Sequence, residues 1–223
     1  MLKFALSSHD LSRQWHSYGS IWRSRQSWIE PYNHPFIETI STCSSEKTQL
    51  IVREVLPNTE ETGHYSSAEH DMKNVNEQVQ NEIWEEMLNW PLDWIAIQIS
   101  TVGEVVLCNG LFNVAPVYLV QFKNTLRGSW DPIDLYPYLS SNPLNYERTA
   151  HYLVSFAHPY SKRTVFSDLY RLTERSYAEW KPQLKDGEQL SIIYPSPIQE
   201  PKVQRLRKNI SPEQNFKKIL REC

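Results

Sequence analysis

Asp93-Trp94-Ile95-Ala96-Ile97-Gln98-Ile99 leads through a Val102-Gly103 turn into Glu104-Val105-Val106-Leu107-Cys108. Val117-Tyr118-Leu119-Val120-Gln121-Phe122 then leads through Lys123-Asn124-Thr125 into Leu126-Arg127-Gly128-Ser129-Trp130. This stretch decides the fold. Its four runs are short and rich in branched and aromatic residues, and each is bounded by a turn signal, which is the pattern of strands. Connections this short join antiparallel neighbours, so the stretch predicts an antiparallel meander.

Upstream, Lys3 to Ser7 predicts a short opening strand. Trp15, Tyr18, Trp22, Trp28 and Tyr32 then crowd a segment that also holds Arg13, Arg23 and Arg25. Aromatic rings stack on flat ligands and arginine pairs with phosphate, so a sugar- or RNA-binding adaptor built on Trp15 to Tyr32 is one reading. The basic charge is only local, and the favoured reading is an irregular, aromatic-packed segment, Trp15 to Phe36, covering a sheet. Thr39 to Thr42 and Gln49 to Val55 predict two strands about a polar turn, and Leu56 to Ala68 a loop. Asn74 to Leu88 has Val75, Val79, Ile83, Met87 and Leu88 at helical spacing; its Glu82, Glu85 and Glu86 form a solvated face.

Downstream, Asp131 caps a short helix over Pro132 to Leu139, and a second helix covers Asn145 to Phe156. Thr164 to Leu172 returns to a strand or turn. From Lys181 the chain reads as loop, with Pro182, Gly187, Pro195, Pro197 and Pro201. Residues 1–199 form the main domain. Residues 200–223 are basic and end in a helix start at Ser211-Pro212-Glu213, with Phe216, Ile219 and Leu220 on one face.

Several function classes drop out. The 223 residues carry a net charge of −3, which gives no overall pull toward nucleic acid or an anionic membrane. Six glycines are scattered with neither dinucleotide-fingerprint nor Walker spacing, so no backbone cradle for a phosphate chain is encoded. No apolar run approaches the ~18 residues of a membrane span, and the apolar core near Met1 is too short for a signal peptide. Cys43, Cys108 and Cys223 are odd in number and far apart, which fits a reducing, cytoplasmic setting. No histidine pair has the spacing of a helical zinc site, and His64 and His70-Asp71 read as solvated loop residues, so no metal is expected. Cys43, nine residues after His34, is the candidate for an internal nucleophile; Cys108 reads as a small buried apolar residue.

One resemblance adds to this. Asp93 to Ile99, then Asn109-Gly110-Leu111-Phe112-Asn113-Val114-Ala115-Pro116-Val117-Tyr118-Leu119, resembles the asparagine synthetase family, whose N-terminal domain has an Arg-Phe-Gly-x-x-Pro-Leu-Tyr-Tyr segment after a similar strand. Leu126 to Leu135, Ala150-His151-Tyr152-Leu153 and Thr164 to Leu172 look like later segments of that domain, in the same order; Thr173-Glu174-Arg175 stands where the family has Pro-Pro-Gly. The resemblance implies an α+β, N-terminal-nucleophile (glutaminase-like) four-layer sandwich, antiparallel sheets flanked by helices. Working members begin with a cysteine whose thiol attacks glutamine and whose own amine is the base. Leu2 stands here instead, and the family's glutamine-binding Asn-Gly-Glu-Ile-Tyr-Asn loop is missing, with Asn109-Gly110 placed too late to replace it. The expectation is a degenerate domain without catalytic residues, as in β-lactam and carbapenam synthetases and lasso-peptide macrocyclases. ATP and Mg would belong to an adenylating synthetase partner, since no Ser-Gly-Gly-x-Asp-Ser loop occurs here. Pro116, Tyr118, Trp130 and Asp131 would face that partner, together with Phe216, Ile219 and Leu220. The alternatives are an amidohydrolase of the same fold using Cys43, and the aromatic adaptor.

Overall fold

The computed structural model describes residues 1–56, 72–112, 116–141, 143–156 and 161–194. Along the chain come β1 (Leu2–Ser7), β2 (His16–Tyr18), β3 (Ile21–Ser24), β4 (Ser27–Pro31), β5 (Ile37–Cys43), β6 (Lys47–Glu54), β7 (Lys73–Asn74) and helix α1 (Glu77–Leu88). They are followed by β8 (Trp94–Ser100), β9 (Val105–Asn109), β10 (Val117–Phe122), β11 (Thr125–Ser129), a 3-10 helix (Pro132–Tyr138), helix α2 (Tyr146–Ser155), β12 (Leu169–Leu172), β13 (Tyr177–Trp180) and β14 (Leu190–Ile193).

Among the described residues the strands form two seven-stranded sheets. The first has the order β12-β10-β11-β1-β4-β3-β2 and the second β14-β13-β9-β8-β6-β5-β7. The ladders are antiparallel except for the short parallel pairing of β5 with β7. Side chains alternate across each strand, so each sheet turns one apolar row inward. Leu2, Phe4, Leu6, Ile29, Leu119 and Leu126 of the first sheet share one buried cluster with Leu50, Val52, Ile95, Ile97, Leu107 and Trp180 of the second. The two sheets therefore close on one core, and the α+β class with antiparallel-rich sheets is as expected.

The outer layers are thin. Helix α1 starts where the Asn76 side chain accepts from the Val79 amide (2.9 Å) and lays Met87, Ile83 and Trp84 against Ile51, Trp94 and Ala96 of the second sheet. Gln80, fully buried, pins it there by donating through Nε2 to the Thr42 hydroxyl and the Lys47 carbonyl, both at 3.2 Å. On the first sheet, the 3-10 helix seats Leu135 against Val120 and Leu169. Its start is capped by Asp131, whose Oδ1 accepts from the Ile133 amide (2.9 Å), as the sequence indicated. Helix α2, capped by Asn145, buries none of its residues. No helix among the described residues is long and apolar enough to cross a membrane.

One close approach sets the middle of the first sheet. Gly128 lies opposite Phe4 in the β1–β11 ladder, and a Cβ placed on Gly128 would stand 2.1 Å from Phe4 Cε1. The Phe4 ring occupies the space that a side chain would take.

Three expectations need correcting. The stretch from Asp93 to Trp130 is not one meander: β8 and β9 pair in the second sheet, β10 and β11 in the first. The change of sheet falls between β9 and β10, and both hairpins satisfy the same alternation, so the pattern alone could not separate them. Trp15 to Phe36 does not cover a sheet but contributes to one, as β2, β3 and β4. Its strands are short, and the β3–β4 turn at Arg25-Gln26 carries no glycine or asparagine to announce it. The stretch from Lys181 is not all loop, since β14 pairs with β13 at the edge of the second sheet. Residues 57–71 and 195–223 lie outside the described residues; with them go the loop expected near Ala68, the boundary at 199, and the helix bearing Phe216, Ile219 and Leu220.

Candidate functional site

Strand β1 carries its amino end to a cavity of about 620 Å³ where the ends of both sheets meet. Met1 lines it, with Trp130 from the end of β11, Tyr32, His34 and Phe36 from the β4–β5 connection, and Glu54 from the end of β6. The Tyr32 amide donates to the Met1 carbonyl at 2.9 Å, extending the β1–β4 ladder by one step to the cavity floor. On the opposite wall the Val55 amide donates to the Phe36 carbonyl (2.9 Å) and the Glu54 amide to the Asp93 carbonyl (2.8 Å).

The connection from β4 to β5 closes in a turn, where the Ile37 amide donates to the His34 carbonyl at 3.0 Å, and Tyr32, His34 and Phe36 all line the cavity. Tyr32 and His34 stack with centroids 5.9 Å apart, His34 meets Phe36 edge-on at 5.4 Å, and Tyr32 meets Trp130 edge-on at 5.4 Å. The Phe36 amide donates to His34 Nδ1 at 3.3 Å, which places the proton of the neutral ring on Nε2. Lys3 Nζ lies 4.7 Å from the Trp130 ring centre and 2.7 Å from Asp134 Oδ2. The hydrogen bonds from Lys3 and Ser129 hold the Asp134 carboxyl below its ordinary range. The result is a continuous aromatic wall with a cation closing its far end.

The α-amine of Met1 is the polar group at the floor. Burial pushes its pKa from 8.0 down to about 6, against the opposing pull of Asp93 and Glu54. The unfolded chain therefore holds a proton in a range where the folded chain does not. Stability that is present above pH 8 is lost as the pH falls to about 6, by roughly 2–3 kcal/mol. Urea melts at pH 6 and pH 8 should show this loss, and the same chain with an acetylated amino terminus should not. Equal pH dependence in the two would mean that the amine is solvated.

The residues expected to form one partner-facing set are divided by the structure. Trp130 lines the cavity. Tyr118 lies on the outer face of the first sheet, against the cluster of Val120, Leu135 and Leu169. Asp131 is a helix cap, and Pro116 is half-buried just before β10. Leu2, at the position where the resemblance implies cysteine, points into the common core and is fully buried; Met1 is the residue at the cavity. Tyr32, His34 and Phe36 went unrecognised in the sequence as a wall, because a turn rather than a strand brings them together.

The other nucleophile candidates are poorly equipped. Cys43 ends β5, six residues from Ile37 at the cavity, a separation of roughly 20 Å along a strand. Its Sγ has the Ser44 carbonyl oxygen at 3.5 Å and the Thr48 hydroxyl at 3.7 Å, neither of them a base. Burial pushes the Cys108 thiol up to about 12, so it stays protonated and inert. Asn109 ends β9, and Gly110 packs so tightly on Trp94 that its position serves the fold. Among the described residues no group of three or more histidine, cysteine, aspartate or glutamate side chains is placed to hold a metal ion. His64, His70 and Asp71 lie outside them.

No protein-family model matches the chain, and a search of curated proteins gives no match.

Proposed function

We propose that this chain is a non-hydrolysing, glutaminase-like domain of an ATP-dependent amide-forming system, and that it serves as scaffold to an adenylating partner. The observation that carries the reading is the placement of β1. Its amino end stands at the floor of a cavity between two facing antiparallel sheets, which is where an N-terminal-nucleophile hydrolase keeps its attacking residue. The floor here is Met1, a thioether, with Leu2 turned into the core. Neither side chain can attack an amide carbon. The facing sheets with helix α1 outside one and the 3-10 helix outside the other also support the N-terminal-nucleophile sandwich as the finer fold.

In this reading the aromatic wall is kept for binding and the hydrolytic step is lost. The amide-forming chemistry, with its ATP and Mg, sits on the partner. The internal-nucleophile alternative is disfavoured by the lack of a base beside Cys43 among the described residues. The broad aromatic adaptor is disfavoured because Trp15 and Trp22 are core residues, leaving no continuous strip at the surface.

The test is a reconstitution. The purified chain alone is expected to release no ammonia from glutamine and no AMP or ADP from ATP. Mixed with the purified adenylating enzyme encoded beside it, the chain is expected to co-elute with that enzyme and raise its ATP-dependent amide formation. Ammonia or AMP produced by the chain alone, or an adenylating enzyme indifferent to its presence, would overturn the proposal.

A further inference from the structure

A second concavity, of about 640 Å³, lies at the far margin of the first sheet, where β2 is the outermost strand. Arg13, His16, Tyr18, Arg23 and Arg25 line it. His16 and Arg23 are direct partners across the β2–β3 ladder, so their Cβ atoms stand about 5 Å apart. Arg25 follows in the β3–β4 turn. Arg13 reaches in from the preceding loop, its Nε donating to the His9 carbonyl at 3.2 Å.

Among the described residues no carboxylate lines this concavity. The acid in contact with Arg13, Asp10, is buried, and its Oδ2 accepts from the Gln26 and Ser27 amides at 2.9 and 3.1 Å. It stands 3.9 Å from Arg13 Nε. The guanidinium groups of Arg23 and Arg25 have no hydrogen-bond or ion-pair partner among the described residues. Cations gathered without counter-charge repel one another, and an anion between them removes that cost.

The backbone gives an independent sign. Arg25 has a φ of 51°, in the left-handed region that glycine or asparagine occupies more cheaply. An arginine kept there at a conformational cost lines the same concavity as Arg23. Next to this cationic end, Tyr18 presents a ring that is 65% exposed.

We propose that the concavity binds a mononucleotide, its phosphate held by Arg23 and Arg25 and its base stacked on Tyr18. Guanidinium groups take phosphate oxygens two at a time, and a phenol ring offers a flat apolar face to a base. The volume suits one small ligand. The chain as a whole carries a net charge of −3, which favours a single nucleotide over a strand of nucleic acid. The inference stands apart from the scaffold reading and uses none of the first cavity's residues.

Calorimetric titration of the whole chain with AMP, inorganic phosphate and a ten-residue oligothymidylate, at one fixed salt concentration, tests it. AMP is expected to bind saturably and more tightly than phosphate, and the oligonucleotide no more tightly than AMP. Arg23→Gln should weaken AMP binding by roughly tenfold or more. Tyr18→Ala should bring AMP down to the affinity of phosphate. Arg25→Gly should weaken AMP binding yet raise the melting temperature by about 1–3 °C as the turn relaxes, a pair of opposite changes that a purely structural arginine would not give. Absence of saturable AMP binding, equal affinity for AMP and phosphate, a strand bound more tightly than AMP, or an Arg23→Gln chain that binds AMP normally would each overturn the assignment.

Discussion

Gly128→Ala lowers the melting temperature by roughly 4–12 °C, the effect of about 2–3 kcal/mol in a domain of this size. The new methyl group would overlap the Phe4 ring, whose Cε1 and Cζ lie 2.1 and 2.3 Å from the Cβ position. Phe4 is 1% exposed and packed in the common core, so its ring has no free volume to enter. The sheet must shift at its central ladder, or Phe4 must leave its rotamer. A double-mutant cycle separates this clash from a general intolerance of alanine. Phe4→Leu alone should destabilise the chain, but Phe4→Leu with Gly128→Ala should cost less than the sum of the two. Additive costs, or a Gly128→Ala chain that melts with the parent, would mean that the ring does not lie over Gly128.

Asp10→Ala costs about 3 kcal/mol. Asp10 is 3% exposed, and its Oδ2 accepts from the Gln26 amide, the Ser27 amide and, at 3.3 Å, the Ser27 hydroxyl. The Ser27 hydroxyl oxygen in turn accepts from the Ser7 amide at 2.8 Å, so one carboxylate ties the β3–β4 turn to the end of β1. Alanine removes the acceptor and strands these donors in a place water does not reach. Asp10→Asn keeps an acceptor oxygen but forfeits the charge and should cost about half as much. Equilibrium urea unfolding of the two variants checks the order, and an Asp10→Ala chain as stable as the asparagine variant would dissolve the argument.

The strands that read clearly in the sequence were those with long alternating or branched runs, such as Ile95 to Ile99 and Val117 to Phe122. Local pattern reports that a strand exists and which of its faces is apolar. It does not report which of two sheets receives the strand, because both sheets here turn the same kind of face to the same core. For that reason β8–β9 and β10–β11 looked continuous. The cap at Asp131 was legible because it is local, holding an amide two residues on; Asn76 and Asn145 hold amides three residues on but were not read as caps. The short β14 was hidden by the turn-forming residues around it, Gly187 before and Pro195 after. The cavity at Met1 was illegible for a different reason. Its wall comes from β11, the β4–β5 connection and the end of β6, and only the closing of the two sheets brings those segments together. The neighbours of Trp130 are Tyr32 and Lys3, whereas Tyr118 packs with Leu135 of the 3-10 helix that Asp131 caps.

The position of β1 has a further consequence. It sits between β4 and β11 in the first sheet: Ala5 pairs with Trp28 on one side and Arg127 on the other. The first neighbour follows almost at once during translation, whereas the second is encoded about a hundred residues later. At ribosomal speeds of about 5–20 residues per second, on the order of 5–20 s separates the two events. Throughout that interval the nascent chain carries a hydrophobic strand with one unpaired edge, and the window in which a chaperone has most to do closes only when β11 leaves the exit tunnel.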